Sequence, residues 1–428
     1  MMDLIVGAGI SGISYANFTK NDFLLIEKEN EAGGYCRTIK RNGYVWDYSG
    51  HFFHFQHPDI KEYVCQNLSP SSLLKVEKHT QIYYKGNYID FPFQKNIHQL
   101  DKEELIDCLY DLFSANHGNI RSFKEMVYAN LVKSIAEKFL IPYNEKLYAC
   151  DLDRLDMNAM GRFFPKANKE DIILNFRSQD NSSYNSSFTY PKGGAVEYVR
   201  SLLKNIDSTK VCLNEELLEI NMEEKVATTN KRKIKYDRLI STQPLPSLLD
   251  QCRLRYESNI FSYNKVLVFN LGFDSKGDDR KNSWVYVPEK DYIFYRLGYY
   301  DNILGTDKMS LYVEIGFPEN EILYKEGLYL DRVMNDLKRI GVVTTQKLVD
   351  YETVLMKPAY VHISKESQEV ISHYKSILKE KDIYSIGRYG SWTYCSIEDN
   401  ILEAKGLART FEFEFVHDAP EGTTFKSE

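Results

Sequence analysis

The sequence predicts an α/β protein. A β-α-β unit opens at the N-terminus, a helical region and an antiparallel sheet are inserted, and the opening unit closes near the C-terminus. Three observations carry this prediction. Leu4-Ile5-Val6 reads as a short buried strand, the glycine-rich Gly7-Ala8-Gly9-Ile10-Ser11-Gly12 follows, and residues 13–18 open a helix before residues 23–27 return as a second buried strand. Between residue 102 and about residue 155 the apolar residues recur at helical spacing. Far downstream, Ile383-Tyr384-Ser385-Ile386-Gly387 repeats a buried strand and a glycine turn.

The elements between follow the same logic. Residues 81–84 and 88–91 are short strands joined by Lys85-Gly86-Asn87, a hairpin turn. Ser122 is placed to cap a helix in which Phe123, Met126, Val127, Leu131, Ile135 and Phe139 recur every three or four residues. Residues 217–242 alternate short strands with charged turns. Residues 266–272, 283–287, 292–297 and 311–315 read as an antiparallel sheet, followed by a helix near 328–340. A last helix starts at about Glu398, and the polar tail from Asp418 is expected to fray. The implied division assigns 1–80, 181–216 and 380–417 to one Rossmann-like unit. It assigns 101–180 to a helical insertion, 81–100 and 217–320 to an antiparallel-sheet substrate domain, and 418–428 to a flexible tail.

Gly7-x-Gly9-x-x-Gly12 carries the first chemical signal. The first glycine permits a tight turn, the second lets backbone approach a pyrophosphate, and the third lets helix and strand pack closely. The helix N-terminus offers free N–H groups and a positive dipole to phosphate. Glu27 closes the second strand 20 positions after Gly7, where a carboxylate can bind ribose hydroxyls. Gly33-Gly34-Tyr35-Cys36-Arg37-Thr38 adds a second backbone N–H cluster and the fixed charge of Arg37. Asp47-Tyr48-Ser49-Gly50-His51-Phe52-Phe53-His54 then places a Gly-His step after a strand of the same unit. Gly50 and His51 are expected against the cofactor ring, with His54 and His57 as bystanders.

Composition narrows the classes. Across 428 residues the net charge is -7 and no long basic run occurs, which argues against nucleic-acid binding. The seven cysteines are scattered without CxxC spacing, so no metal site is expected and a reducing cytoplasm suits them. The start lacks the long apolar stretch of a signal peptide, and no run approaches the roughly 20 residues of a membrane span. The chain is expected to be cytoplasmic, and a homo-oligomer is compatible with the sequence.

The Gly-Gly and Arg37 pattern resembles the FAD signature of the amine oxidase and protoporphyrinogen oxidase superfamily. A narrower resemblance emerges from four further motifs in one order. These are Phe91-Pro92-Phe93-Gln94-Lys95-Asn96, Ile141-Pro142-Tyr143-Asn144-x-Lys146, Tyr190-Pro191-x-Gly193-Gly194 and Gly387-Arg388-Tyr389-Gly390-Ser391-Trp392-x-Tyr394. Together, from Leu4 to about Leu407, they resemble the UDP-galactopyranose mutase family, and its eukaryotic branch in particular.

The resemblance implies FAD, active when reduced, with NAD(P)H a candidate external reductant. It implies a UDP-sugar substrate, UDP-galactose or a related one, interconverted between pyranose and furanose rings. The reduced flavin N5 attacks the anomeric carbon, and the chemistry belongs to polysaccharide biosynthesis. Residue by residue, Arg162 and Arg296 match the diphosphate arginines, which with His51 form the catalytic set. Gly7, Gly9, Gly12, Glu27, Gly34, Arg37, Gly50 and Arg388 match cofactor positions. Phe93 and Gln94 match the uracil site, and Asn144, Tyr148, Asn185, Tyr286 and Tyr394 match other substrate contacts. Two departures stand out. Ser49 occupies a position usually held by Gly, and Tyr360-Val361-His362-Ile363-Ser364-Lys365-Glu366 carries no counterpart of a diphosphate-binding Tyr-Pro pattern. The rival expectation is an amine-oxidase-like or protoporphyrinogen-oxidase-like oxidoreductase, and a third is a non-catalytic nucleotide binder.

Overall fold

The computed structural model of the chain describes residues 1–114, 120–165, 167–177, 181, 186–323 and 326–417. Asn185 and the tail 418–428 lie outside the described residues. Two sheets organise the rest. In chain order their strands are β1 (Met2–Val6), β2 (Asp22–Ile26), β3 (Thr80–Tyr84), β4 (Asn87–Asp90), β5 (Val211–Cys212), β6 (Arg238–Ser241), β7 (Asn264–Phe273), β8 (Trp284–Tyr286), β9 (Arg296–Tyr299), β10 (Ser310–Pro318), β11 (Leu348–Met356) and β12 (Ile383–Ser385).

The first sheet is parallel, in the order β12-β6-β1-β2-β5. Its strands are apolar along their length because helices cover the sheet. Leu4, Ile5, Leu239 and Ile240 have no solvent exposure. The helix Ile10–Phe18 packs into one cluster with Ile401, Ala404 and Ala408 of the helix Ile397–His417. The opening helix and the helix Ile397–His417 therefore meet beside the glycine motif. The fold matches the expected α/β class with helical and antiparallel-sheet insertions.

One expected boundary differs. Residues 217–242 were grouped with the antiparallel sheet, but β6 lies between β1 and β12 of the parallel sheet. The strands Leu217–Asn221, Val226–Thr229 and Lys233–Lys235 form a small sheet of their own leading into it. The reason is burial on both faces: every residue of β6 is buried, as a central parallel strand requires.

The second sheet runs β11-β7-β10-β9-β8-β3-β4 and is antiparallel except where β8 meets β3. Strand β9 starts later than expected, at Arg296, which sets Arg296 directly opposite Glu314 on β10. The β3–β4 turn has positive φ at Lys85 (47°) and Gly86 (82°), which suits a tight hairpin. The helical region is a series, Lys102–Ser114, Phe123–Leu131, Lys133–Lys138 and Leu140–Tyr148. Ser122 caps the second of these, its Oγ accepting from the Glu125 amide. The helix Leu140–Tyr148 is fastened to the sheet by Lys146. Its ammonium donates to the carbonyls of Val287 (2.8 Å), Glu289 (3.0 Å) and Phe294. Burial pushes that ammonium down to about 7. The bolt sets which side of the helix faces the space between the two sheets. Among the described residues no helix is long and apolar enough to cross a membrane.

Candidate active site

One cavity of about 1210 Å³ runs from the glycine motif to the face of the antiparallel sheet. At the glycine end, Gly9 and Gly34 face each other, so a Cβ on Gly34 would lie 3.5 Å from the Gly9 Cα. Gly33 donates its N–H to the Ala8 carbonyl at 2.8 Å, which draws the second glycine turn over the first. Gly12 does not line the cavity. A Cβ there would sit 2.0 Å from the Gly7 carbonyl oxygen, so Gly12 sets how closely the helix lies on β1. The Glu27 carboxylate accepts the Ala8 N–H at 2.7 Å and the Glu29 N–H at 3.0 Å. A carboxylate has about four lone-pair sites, so acceptor capacity remains for a ribose. Arg37 lies over the Tyr48 ring at 4.7 Å, with its Nε donating to the Gly34 carbonyl at 2.9 Å. Glu29 and Glu31 sit 3.7 and 3.8 Å from its guanidinium.

The Gly50-His51 loop forms the middle of the cavity wall. Ser49, where φ is +79°, bonds its hydroxyl to the Glu314 carboxylate. Below the loop, buried Asp47 accepts from the Thr38 hydroxyl (2.5 Å), the Tyr190 hydroxyl (2.7 Å) and the Ala195 N–H (3.0 Å). Burial pushes the Asp47 carboxyl up to about 6, against those three donors. The His51 Nδ1 is buried and has no hydrogen-bond partner among the described residues. Burial, helped by the Arg388 charge, holds the His51 imidazole down at about 4, so it is neutral at pH 7.

His54, expected to be a bystander, also lines the cavity, and burial lowers its imidazole from 6.5 to about 4. Between those values the unfolded chain takes up the proton before the folded one does. The His54 contribution to stability is therefore complete above about 6.5 and is lost as pH falls toward about 4. Asp47 works the other way across its own window, because its folded form protonates first. We expect the stability margin of the native chain over His54→Gln, read by urea unfolding, to narrow from about pH 7 to about pH 5. A margin independent of pH would show that His54 does not remain neutral.

The sheet end of the cavity is aromatic and cationic. Arg296 forms a two-pronged pair with Glu314, Nε to Oε2 at 2.8 Å and Nη2 to Oε1 at 2.7 Å. Burial pushes the Glu314 carboxyl up, and the charge of and hydrogen bonds from Arg296 pull it further down, below its ordinary value. Around the pair, Tyr143, Tyr295 and Tyr312 line the wall, with hydroxyls pushed well above 10 by burial. Tyr286 sits 5.0 Å from the Tyr143 ring and 5.6 Å from Phe91. Arg388, on the turn after β12, lies 4.9 Å from the Tyr394 ring centre and 5.2 Å from that of Tyr360. It donates to the Cys395 carbonyl at 3.1 Å. Its Nε has no partner, and it makes no ion pair among the described residues. At the mouth, Arg162 donates to Gln56 (2.8 Å), Ser396 (3.2 Å) and both Asp399 carboxylate oxygens (2.8 and 2.9 Å).

The structure thus brings most of the anticipated residues to one cavity: Gly7, Gly9, Glu27, Gly34, Arg37, Gly50, His51, Tyr148, Arg162, Tyr286, Arg296, Arg388 and Tyr394 all line it. Phe93 and Gln94 do not. A 3-10 turn at Phe93–Lys95 directs both inward. Phe93 packs against Phe139 at 5.7 Å and Tyr84 at 5.8 Å, and Gln94 donates to the Pro165 carbonyl at 2.6 Å. Their neighbours Phe91, Pro92 and Lys95 line the cavity instead. Asn144 is also buried behind the wall, its amide donating to the Leu140 carbonyl at 2.7 Å. We therefore expect Phe93→Ala to lower stability by about 3–5 kcal/mol in denaturant unfolding, as a core truncation does. Affinity for a ligand of the cavity should change less than about twofold once the protein is folded, as for a residue off the binding surface. A selective loss of that affinity would return Phe93 to the binding surface.

A second difference concerns residues 360–366. The stretch carries no counterpart of a diphosphate-binding Tyr-Pro pattern, yet Tyr360 lines the cavity, 5.9 Å from both Tyr148 and Tyr394. Asn264 on β7 holds it: Oδ1 accepts the Tyr360 N–H at 2.7 Å, and the Asn264 N–H donates to the Tyr360 carbonyl at 2.9 Å. Glu314 and Asp399 were also not anticipated. A lone acid in the apolar run Leu311-Tyr312-Val313-Glu314-Ile315 is the available signal for the first. Among the described residues, no cluster of His, Cys, Asp or Glu could hold a metal ion.

Comparison with known proteins gives a consistent picture. Residues 16–410 match the family described as flavin containing amine oxidoreductase. The structure is similar to that of a reduced UDP-galactopyranose mutase, with a TM-score of 0.88 at 21% identity, over 96% of this chain and 94% of that one. It is also similar to a candidate protoporphyrinogen oxidase from Exiguobacterium sp. 255-15, with a TM-score of 0.78 at 15% identity, over 96% and 99%. In sequence, 167 residues are 26% identical to the chloroplastic protoporphyrinogen oxidase of Nicotiana tabacum. That match takes in 36% of this chain and 30% of the tobacco protein.

Proposed function

The chain belongs to the flavin-containing amine oxidoreductase family, and on that premise we propose that it is an FAD-dependent sugar-nucleotide mutase. It would interconvert the pyranose and furanose forms of a UDP-sugar, UDP-galactose or a related one. The parallel sheet and its glycine turns would hold the cofactor, and the antiparallel sheet with the helix Leu140–Tyr148 would hold the substrate.

The cofactor fits the residues present. The facing Gly9 and Gly34 leave backbone uncovered where a pyrophosphate needs close approach, and Glu27 keeps acceptor capacity beside it. When bound and reduced, FAD supplies a nucleophilic nitrogen for the sugar's anomeric carbon. The chain's residues would do the rest. Gly50 and His51 would present backbone and a neutral imidazole to the ring, adding no charge there. Arg296 and Arg162 would stabilise the negative charge on the departing nucleoside diphosphate. Tyr286, Tyr360 and Tyr394, protonated well past neutral pH, would donate hydrogen bonds to phosphate or sugar oxygens. Tyr148 would add to the same wall.

The observation that carries this reading is the charge of the wall. Arg296 and Arg162 lie on the same cavity, and the half-buried Arg388 beside them has no ionic partner among the described residues. Guanidinium groups match phosphate oxygens, the cofactor's beside Arg388 and a nucleoside diphosphate's beside Arg296 and Arg162. The family name and the protoporphyrinogen-oxidase relatives support a second reading, an FAD oxidoreductase. One experiment separates them. The purified protein is reduced with dithionite under anaerobic conditions and given UDP-galactofuranose and related nucleotides. Ring-isomer interconversion supports the mutase, whereas turnover only with oxygen or NADPH consumption and a dehydrogenated product would sink it.

A further inference from the structure

The contact across the cavity mouth assigns a role to a residue that the reaction chemistry leaves unused. Arg162 sits in the short turn Gly161–Phe163 of the helical insertion, while Asp399 lies in the first turn of the helix Ile397–His417. The pair therefore straps two walls of the cavity together, and Gln56 from the 50–57 loop joins it as a third. Both Asp399 oxygens lie within hydrogen-bond distance of the same guanidinium nitrogen, at 2.8 and 2.9 Å. A guanidinium fork accepts a carboxylate or a phosphate in the same way. The pair is open to water, with the Arg162 side chain 41% and the Asp399 side chain 31% exposed. Beside it, Phe163 meets the Tyr394 ring edge-on at 5.0 Å, linking the strap to the inner wall.

We propose that Asp399 is a resident competitor for Arg162, and that a nucleoside diphosphate entering the cavity binds by displacing the Asp399 carboxylate from that guanidinium. This inference rests on the sugar-nucleotide reading above. It makes the strap a threshold. Neutral ligands leave the Arg162–Asp399 contact closed, and a ligand carrying a diphosphate opens it because phosphate oxygens replace the carboxylate's. The contrast with Arg296 is physical. Glu314 is fully buried and is held as well by Ser49, so that carboxylate has nowhere to go, whereas Asp399 can turn out into water. Asp399 also accepts from the Ser396 N–H and hydroxyl, both at 2.8 Å, and so keeps a resting place when Arg162 leaves.

The test is a calorimetric titration of flavin-loaded protein with UDP. Asp399→Asn should tighten UDP about three- to tenfold, because removing the competing charge leaves the guanidinium free. The same change on an Arg162→Ala background should leave the UDP affinity unaltered. Asp399→Ser, which keeps a hydroxyl for the helix cap, should behave like Asp399→Asn, and it stands in if the amide variant fails to fold. UDP bound equally well, or more weakly, by both Asp399 variants would overturn the competitor role while leaving the nucleotide reading intact. If neither the native protein nor the variants bind UDP, the nucleotide reading fails and the competitor role falls with it.

Discussion

Replacing Arg296 with Ala is expected to lower kcat/KM on a UDP-sugar by a factor on the order of 10³ while flavin stays bound. Arg296 lies on β9, faces the antiparallel-sheet end of the cavity, and is far removed from the glycine turns in sequence and in sheet. Its charge is held in place by the two-pronged contact with Glu314, so little reorganisation is needed when negative charge develops on a leaving diphosphate. The same geometry makes the single variant costly in another way. It would leave Glu314 buried without its cation, a loss of about 3–5 kcal/mol. The double variant Arg296→Met/Glu314→Leu removes both charges and should recover most of that stability. It should not recover turnover. Measured by product chromatography with dithionite-reduced protein, a double variant with native kcat/KM would remove Arg296 from the chemistry.

Gly12→Val should cost the protein its flavin. The first side-chain carbon would lie 2.0 Å from the Gly7 oxygen, 3.2 Å from the Gly7 carbonyl carbon and 3.4 Å from the Ile5 side chain. Two of those atoms are backbone, and the helix that carries residue 12 is buried along most of its length. The strain has no flexible side chain to absorb it. The helix must move off β1, carrying its N-terminal amides away from the pyrophosphate position. We expect flavin content per protein, read from the visible absorbance, to fall at least about tenfold, since the proposed site uses these amides and their dipole for the phosphates. Reconstitution with excess FAD should fail. A fully yellow Gly12→Val protein would place the dinucleotide somewhere other than this turn.

What the sequence revealed depended on whether function was fixed by backbone or by side-chain direction. The glycine turns were legible because only glycine satisfies their close approaches, and that of Gly12 to the Gly7 carbonyl is local. Arg296 was legible by resemblance, but Glu314 was not, since their pairing comes from a register between β9 and β10 that no local pattern states. Phe93 and Gln94 sat in a recognisable motif, yet a 3-10 turn decides which neighbours face the cavity, and it selects Phe91, Pro92 and Lys95. Tyr360 had no motif of its own. It is placed by Asn264, 96 residues earlier. Strand β11 was missed for a different reason. It is an edge strand whose inward residues Asp350 and Glu352 pair with Arg41, while Val349 and Leu355 face water, an inversion of the usual polarity.

The pairing of β6 with both β1 and β12 has a consequence for how this chain is made. Leu4 and Ile5 leave the ribosome some 235 residues before their neighbours Leu239 and Ile240, and Ile383 and Tyr384 close the row later still. The helix that covers the glycine turn is sealed only by Ile401 and Ala404. Until those residues are made, the glycine turn has no far wall and β1 lacks a neighbour on one side. Cofactor capture is therefore expected only once the helix Ile397–His417 has been made.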